Sequence, residues 1–171
     1  MMKNIGIIGF GNLGNSLSKL LMRNNVGKNL SISSKEMSSK ESLIIKQGDN
    51  IRRSDILLTV KPNSIKDVCD DINKYANNEK TIVSAAAAVP IQKINDWTDR
   101  KHHIIRCMPN LPVSIGDGSI VWHDPENRDD VKEIIGNYTK GPNSLWVKDE
   151  RLVDVATVVS GCTPAYVGET I

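Results

Sequence analysis

The chain has 171 residues, 39% of them hydrophobic and 25% charged, with a net charge of +2. Those values suit a soluble globular protein and leave no basic excess for nucleic acid or an anionic membrane. One Phe, three Tyr and three Trp supply no stacking platform for bases, no apolar run reaches membrane-spanning length, and the N-terminus lacks the build of a signal peptide.

In chain order, the apolar run 5–8 reads as a strand. The following helix carries Leu13, Leu17, Leu20 and Leu21 on one face. Residues 29–33 read as a second strand, followed by a helix through Leu43, Ile44 and Ile45. A buried strand is expected over 56–60, a helix over 64–75 and a strand over 81–84. The run Ala85 to Ala88 reads as a close-packed turn, because Val89-Pro90 cuts it off before a new segment marked by Ile91, Ile94 and Trp97. Strands are expected at 103–107 and 118–123. Asp124, as N-cap with Pro125 at the first helical position, then starts a helix through Val131, Ile134 and Ile135. Gly141-Pro142 turns the chain into a short strand at 144–148. A helix over 149–160 is ended by Gly161, and Pro164 opens a last helix that stops mid-element at Ile171.

Strands alternating with helices at this spacing predict an α/β, Rossmann-type doubly wound and mainly parallel sheet. Ligands of such sheets sit beyond the carboxyl ends of the strands, where five unusual loops fall together. The first is Gly9-Phe10-Gly11-Asn12-Leu13-Gly14, a Gly-x-Gly-x-x-Gly run between strand and helix. Gly9 allows the tight turn, Gly11 lets a pyrophosphate approach the backbone, and Gly14 lets the helix pack close to the strand. The helix N-terminus offers unpaired N–H groups to the anion. At the end of the second strand stand Ser33, Ser34 and Lys35, where an acid would mark a ribose 2′-hydroxyl. Hydroxyls and a lysine favour NADP(H); a solvated turn lysine is the lesser alternative for Lys35, and the nearby Glu36 keeps NAD(H) open. Cys69, Cys107 and Cys162 are odd in number and far apart, so they read as reduced thiols of a cytoplasmic protein. His102, His103 and His123 have no partner at metal spacing and read as structural, with no metal site.

The second half carries more specific signals. Arg106-Cys107-Met108-Pro109-Asn110-Leu111-Pro112, then Gly116-Asp117-Gly118, and Ser160-Gly161-Cys162-Thr163-Pro164-Ala165-Tyr166 resemble pyrroline-5-carboxylate reductases. So do Val60-Lys61-Pro62 and the small-residue turn 84–89, and the resemblance runs in order along essentially the whole chain. It implies NAD(P)H-dependent reduction of the C=N bond of 1-pyrroline-5-carboxylate to L-proline, a small-molecule substrate in proline biosynthesis. By its roles Val60, Lys61, Pro62, Ala85, Ala86 and Ala87 line the cofactor path. Asn110 sits by the nicotinamide, and Ser160, Cys162 and Thr163 lie near the substrate. Asn50 is matched with a family asparagine near the adenosine. The chain departs from the family's usual residues at Leu111 (Thr), Thr163 (Gly) and Ala88 (Gly).

The resemblance also implies a helical dimerisation domain of about a hundred further residues, a size typical of a domain. The chain is therefore read as a cofactor domain over 1–160, with 161–171 as the first turns of a truncated helical domain. The family's homo-oligomer gives way here to a monomer or weak association. Two alternatives stand beside this reading: a non-catalytic NADP(H)-binding module, and a related imine or hydroxy-acid reductase.

Overall fold

The computed structural model describes residues 4–34 and 43–162. Within them lie strands β1 (Ile5–Ile8), β2 (Leu30–Ser33), β3 (Asp55–Leu58), β4 (Thr81–Ser84), β5 (His103–Pro109), β6 (Ser119–His123) and β7 (Asn143–Trp146). The helices are α1 (Asn12–Arg23), α2 (Gln47–Arg53), α3 (Ile65–Tyr75), α4 (Ile91–Trp97), α5 (Asp129–Tyr138) and α6 (Arg151–Ala156), the last continued by a π-helical turn, Thr157–Cys162.

The described residues form a seven-stranded sheet in the order β2-β1-β3-β4-β5-β6-β7. The first five strands of the chain are parallel, β6 runs antiparallel to β5, and β7 is parallel to β6. From β1 the chain crosses to β2 on one side and then to β3 on the other, so the connections diverge at β1. This doubly wound, Rossmann-type arrangement leaves a crevice at the carboxyl edge, at that reversal point.

Both faces of the sheet are covered, and the two-residue strand period divides the core. Ile5 and Ile7 of β1 and Ile105 and Cys107 of β5 join Leu17, Leu20 and Leu21 of α1 and Val131 and Ile135 of α5. The opposite face packs Ile8, Ile56, Leu58, Ile82 and Ile104 against α2, α3 and α4. Gly6 is required here: a Cβ would collide with the Asn50 amide and come within 3.0 Å of Ser54 Cβ, so α2 could not lie this close to β1. Nearby sits a polar knot, in which the Asn50 amide donates to Ile7 O (3.1 Å) and Ser33 Oγ (3.1 Å) and accepts from Ser31 Oγ (2.7 Å).

Several elements differ from the sequence expectation, each for a packing reason. Residues 43–45 are not helical. Ile44 bridges in parallel to Ile32, with Ile32 N–H donating to Leu43 O and Ile45 N–H to Ile32 O, because β2 is an edge strand with free hydrogen-bonding groups. The helix starts instead at Gln47. Asp124 does not open α5. It lies in a turn, where it accepts from the N–H groups of Glu126 (3.0 Å) and Arg128 (2.9 Å), and the helix begins at Asp129. The last strand is Asn143–Trp146, earlier than expected, with Trp146 stacked on Trp122 at 5.5 Å. Gly161 does not stop its helix, since the π-helical turn runs on to Cys162. The helix expected from Pro164 lies outside the described residues.

Candidate cofactor cleft and active site

Gly9, at the end of β1, has φ +100°, and a Cβ there would lie 2.8 Å from Val60 Cγ1 and Val60 N. Only glycine satisfies both conditions. The turn is held from both sides: Gly9 N–H donates to Ser33 O, Thr59 N–H to Ile8 O, and Thr59 Oγ1 to Gly9 O at 2.8 Å. A Cβ on Gly14 would strike Gly9 O and sit 2.7 Å from Thr59 Oγ1, so α1 can approach the β1 turn only with glycine there.

Gly11 is different. Nothing lies within 4 Å of where its Cβ would be. The missing side chain accommodates no protein neighbour and leaves open space above the start of α1. Gly11 caps α1 without a side-chain bond, and the first turn carries no acid. The orphan N–H groups and positive dipole end of a 12-residue helix thus face that space uncompensated, which fits a diphosphate.

A cleft of ≈ 230 Å³ opens beside this turn, lined by Gly9, Phe10, Gly11, Ser33, Ser34, Val60 and Lys61 among others. These seven were all expected from the sequence. Asn12, Leu13, Gly14 and Pro62 adjoin the lining without being part of it, and Leu13 turns its side chain toward the core. Lys35 lies outside the described residues. Ser33 borders the cleft, but its hydroxyl is committed inward to Asn50 and the β1 backbone. Asn50, matched with an adenosine-side asparagine, is buried beneath the sheet edge, and the α2 residue that reaches the cleft is Gln47. Thr59, Gln47, Ser64 and Val68 were not anticipated as lining. For Thr59 a signal existed, a hydroxyl beside the Val-Lys-Pro stop. For Gln47 none did, because its helix was misplaced.

The remaining expected residues cluster further along the same edge. Ala85 and Ala86 are buried, and Ala87 packs with Met108, Val153 and Ala156. Asn110 follows β5. Its Oδ1 accepts from Ser119 N–H at 3.0 Å, and its Nδ2 donates to no partner among the described residues. Gly118 accommodates this amide, since a Cβ would collide with Asn110 Oδ1. Ser160 lies in the π-helical turn, its hydroxyl donating to Ala156 O at 2.9 Å. Cys162 is the last residue of that turn, and Thr163 lies outside the described residues.

An ion cluster around a buried arginine ties these segments together. Arg106 of β5, 1% exposed, pairs with Glu150 at 2.9 Å and Asp154 at 2.6 Å. Burial alone would lower its pKa; the hydrogen bonds it donates to Asp154 and Glu150 more than reverse that and hold it above the ordinary arginine value. Glu150 Oε1 also accepts from Ile91 N–H at 2.7 Å, at the start of α4. One carboxylate therefore joins α6, β5 and the exit of the alanine turn. Burial pushes the Cys69 and Cys107 thiols up to about 12, so neither serves as a thiolate nucleophile. His103 Nε2 pairs with buried Asp124 at 2.8 Å, in keeping with its structural reading. No group of three metal-ligating side chains occurs among the described residues, and none of their helices is long and apolar enough to cross a membrane.

Comparison with known proteins agrees with this geometry. Residues 4–88 match the family model described as NADP oxidoreductase, coenzyme F420-dependent. Pyrroline-5-carboxylate reductase of Pseudomonas aeruginosa is 33% identical over 113 residues, covering 65% of this chain and 41% of its own length. The Haemophilus influenzae reductase is 28% identical over 124 residues, 70% and 45% respectively. Along most of its length the chain is similar to pyrroline-5-carboxylate reductases. It spans less than half the length of these two curated relatives. Among solved structures of the family, the Plasmodium falciparum reductase with NADP bound aligns with a TM-score of 0.86 at 25% identity, covering 99% of this chain and 67% of that one. The Coxiella burnetii reductase aligns with a TM-score of 0.87 at 23% identity, covering 99% and 68%.

Proposed function

We propose that this chain is the cofactor-binding part of an oxidoreductase that reduces the C=N bond of 1-pyrroline-5-carboxylate to L-proline in the cytoplasm. The observation that carries this reading is the open space over Gly11, at an uncapped helix start, in a chain similar to these reductases. NADP(H) is the favoured cofactor and NAD(H) is possible. Supporting that order are Ser34, which follows β2 in the cleft lining, and the NADP bound to the similar Plasmodium falciparum protein. When bound, the nicotinamide supplies the hydride to the imine carbon.

The chain's own residues bind and orient. The N–H groups at Asn12, Leu13 and Gly14 hold the diphosphate. Val60, Lys61, Pro62 and the turn Ala85, Ala86 and Ala87 guide the cofactor toward the end of β5. The free Nδ2 of Asn110 donates to the nicotinamide carboxamide or the substrate carboxylate. An iminium accepts hydride more readily than a neutral imine, so the site must keep the nitrogen protonated. Ser160 is suited to hold that protonated form, because its own proton is given to Ala156 O and a lone pair is what it can offer to an iminium N–H. Cys162 and Thr163 complete this substrate side. We assign 1–160 to the cofactor domain and 161–171 to the start of a helical domain.

A thermal-shift titration with NADPH and NADH, followed by a proline-forming assay on the same samples, tests the reading. Stabilisation with proline formation supports it in full. Stabilisation without turnover supports the cofactor domain and moves catalysis to an assembled protein. Absence of stabilisation by either nucleotide overturns it.

A further inference from the structure

The wall of the cleft opposite the glycine turn is built by the first residue of α2 and the start of α3. Gln47, Ser64 and Val68 line it there. Gln47 is held by a neighbour. Its Nε2 donates to Asp71 Oδ2 at 2.7 Å, and Asp71 lies one turn beyond Val68 on α3. A carboxylate only accepts, so the amide must turn its NH2 toward Asp71, with Oε1 on the other side. That oxygen accepts no hydrogen bond among the described residues. The helices themselves pack closely: a Cβ on Gly48 would meet the Tyr75 ring at 3.2 Å.

The consequence is chemical. This corner adjoins the end of β2, where a dinucleotide of this fold places its adenosine ribose. No acid ends β2 among the described residues, where Ser33 and Ser34 stand. A negative charge is supplied instead from across the cleft, one side chain removed. A carbonyl oxygen backed by a carboxylate accepts from a ribose 2′-hydroxyl and repels a 2′-phosphate. Lys61, also in the lining, acts in the opposite sense.

Resting on the nucleotide-binding reading above, we propose that Asp71, through Gln47, sets cofactor discrimination: the pair offsets the 2′-phosphate preference of the β2 end, so that the chain accepts NADH alongside NADPH. Asp71 is a positioning residue; Gln47 makes the contact.

The test is equilibrium binding of NADPH and NADH to the full chain, its Asp71→Asn variant and its Gln47→Leu variant, at low and high salt. Asp71→Asn is expected to raise NADPH preference over NADH on the order of five-fold, and the change should shrink as salt screens the charge. Gln47→Leu is expected to weaken NADH several-fold and to leave NADPH no weaker. The ratio is its own control, because a variant that only loosens the fold weakens both nucleotides together. Measurable binding with a ratio unchanged in both variants overturns this proposal and leaves the cofactor reading standing. Absence of binding of either nucleotide to the unaltered chain overturns both.

Discussion

The three glycines of the β1 turn meet different neighbours, so their substitutions should separate. Gly11→Ala adds a methyl group to empty space at a helix cap and should cost no more than about 1 kcal/mol of stability. The same methyl stands where the diphosphate belongs and should weaken nucleotide binding at least about tenfold. Gly14→Ala should do the reverse, destabilising the fold first, because the new Cβ meets Gly9 O and Thr59 Oγ1. Urea unfolding beside nucleotide titration distinguishes the two patterns. Ala88 lies in the left-handed region at φ +56°, a conformation that favours glycine. Ala88→Gly should raise stability by about 0.5–1 kcal/mol, the relieved strain exceeding the added chain entropy. Asp124 gives a pH dependence. Burial pushes its pKa up, but hydrogen bonds from His103, Arg128 N–H and Glu126 N–H outweigh this and hold it below the ordinary value. Its stabilising contribution is present above the unfolded-state value of about 4 and is lost as pH falls through the lower folded value. Urea midpoints should fall over that acid range, and less steeply in Asp124→Asn.

At the scale of elements, α6 is held to the sheet by charge more than by area, since only Val153 and Ala156 of its six residues are buried. Removing an acid leaves the Arg106 guanidinium buried with one partner, whereas removing the arginine leaves Glu150 and Asp154 near water. Glu150→Ala also uncouples Ile91 N–H and should cost about 3 kcal/mol, more than Arg106→Met. Chemical denaturation of both variants checks that order; the opposite order would mean that the helix is held by packing. The element-level misreading of 43–53 has the same origin. Periodicity identified Leu43, Ile44 and Ile45 as buried, but a free sheet edge competed for them, and no local pattern reveals an edge.

For the whole molecule, Leu152, Val155, Val158 and Val159 leave an apolar stripe 46–65% exposed on α6 and its π-helical extension. Four such side chains expose on the order of 300 Å², well under the roughly 800 Å² per partner of a stable interface. This chain alone should therefore be monomeric or weakly associating, and sedimentation at several concentrations that found a tight dimer would refute that. The cleft is lined by β1, β2, α2, α3 and the loops that follow β1 and β3, all within the first half of the chain. Nucleotide binding should accordingly survive substitutions on the proposed substrate side, such as Ser160→Ala, that suppress turnover, which isothermal titration can verify.

By itself the sequence determined the order and kind of most elements, the glycine turn, the alanine turn and the family likeness. Each of these is written in local terms: a period of two or 3.6, a residue that must lack a Cβ, a short motif. Only the tertiary structure decided that Ser33 turns its hydroxyl inward, that Gln47 rather than Asn50 reaches the cleft, and that Arg106 finds its acids 44 and 48 residues away. The physical reason is common to all three. A local pattern reports that a side chain is buried or that a backbone must turn. What it is buried against depends on which distant segment crosses the sheet beside it, and that is settled only when the strands take their places.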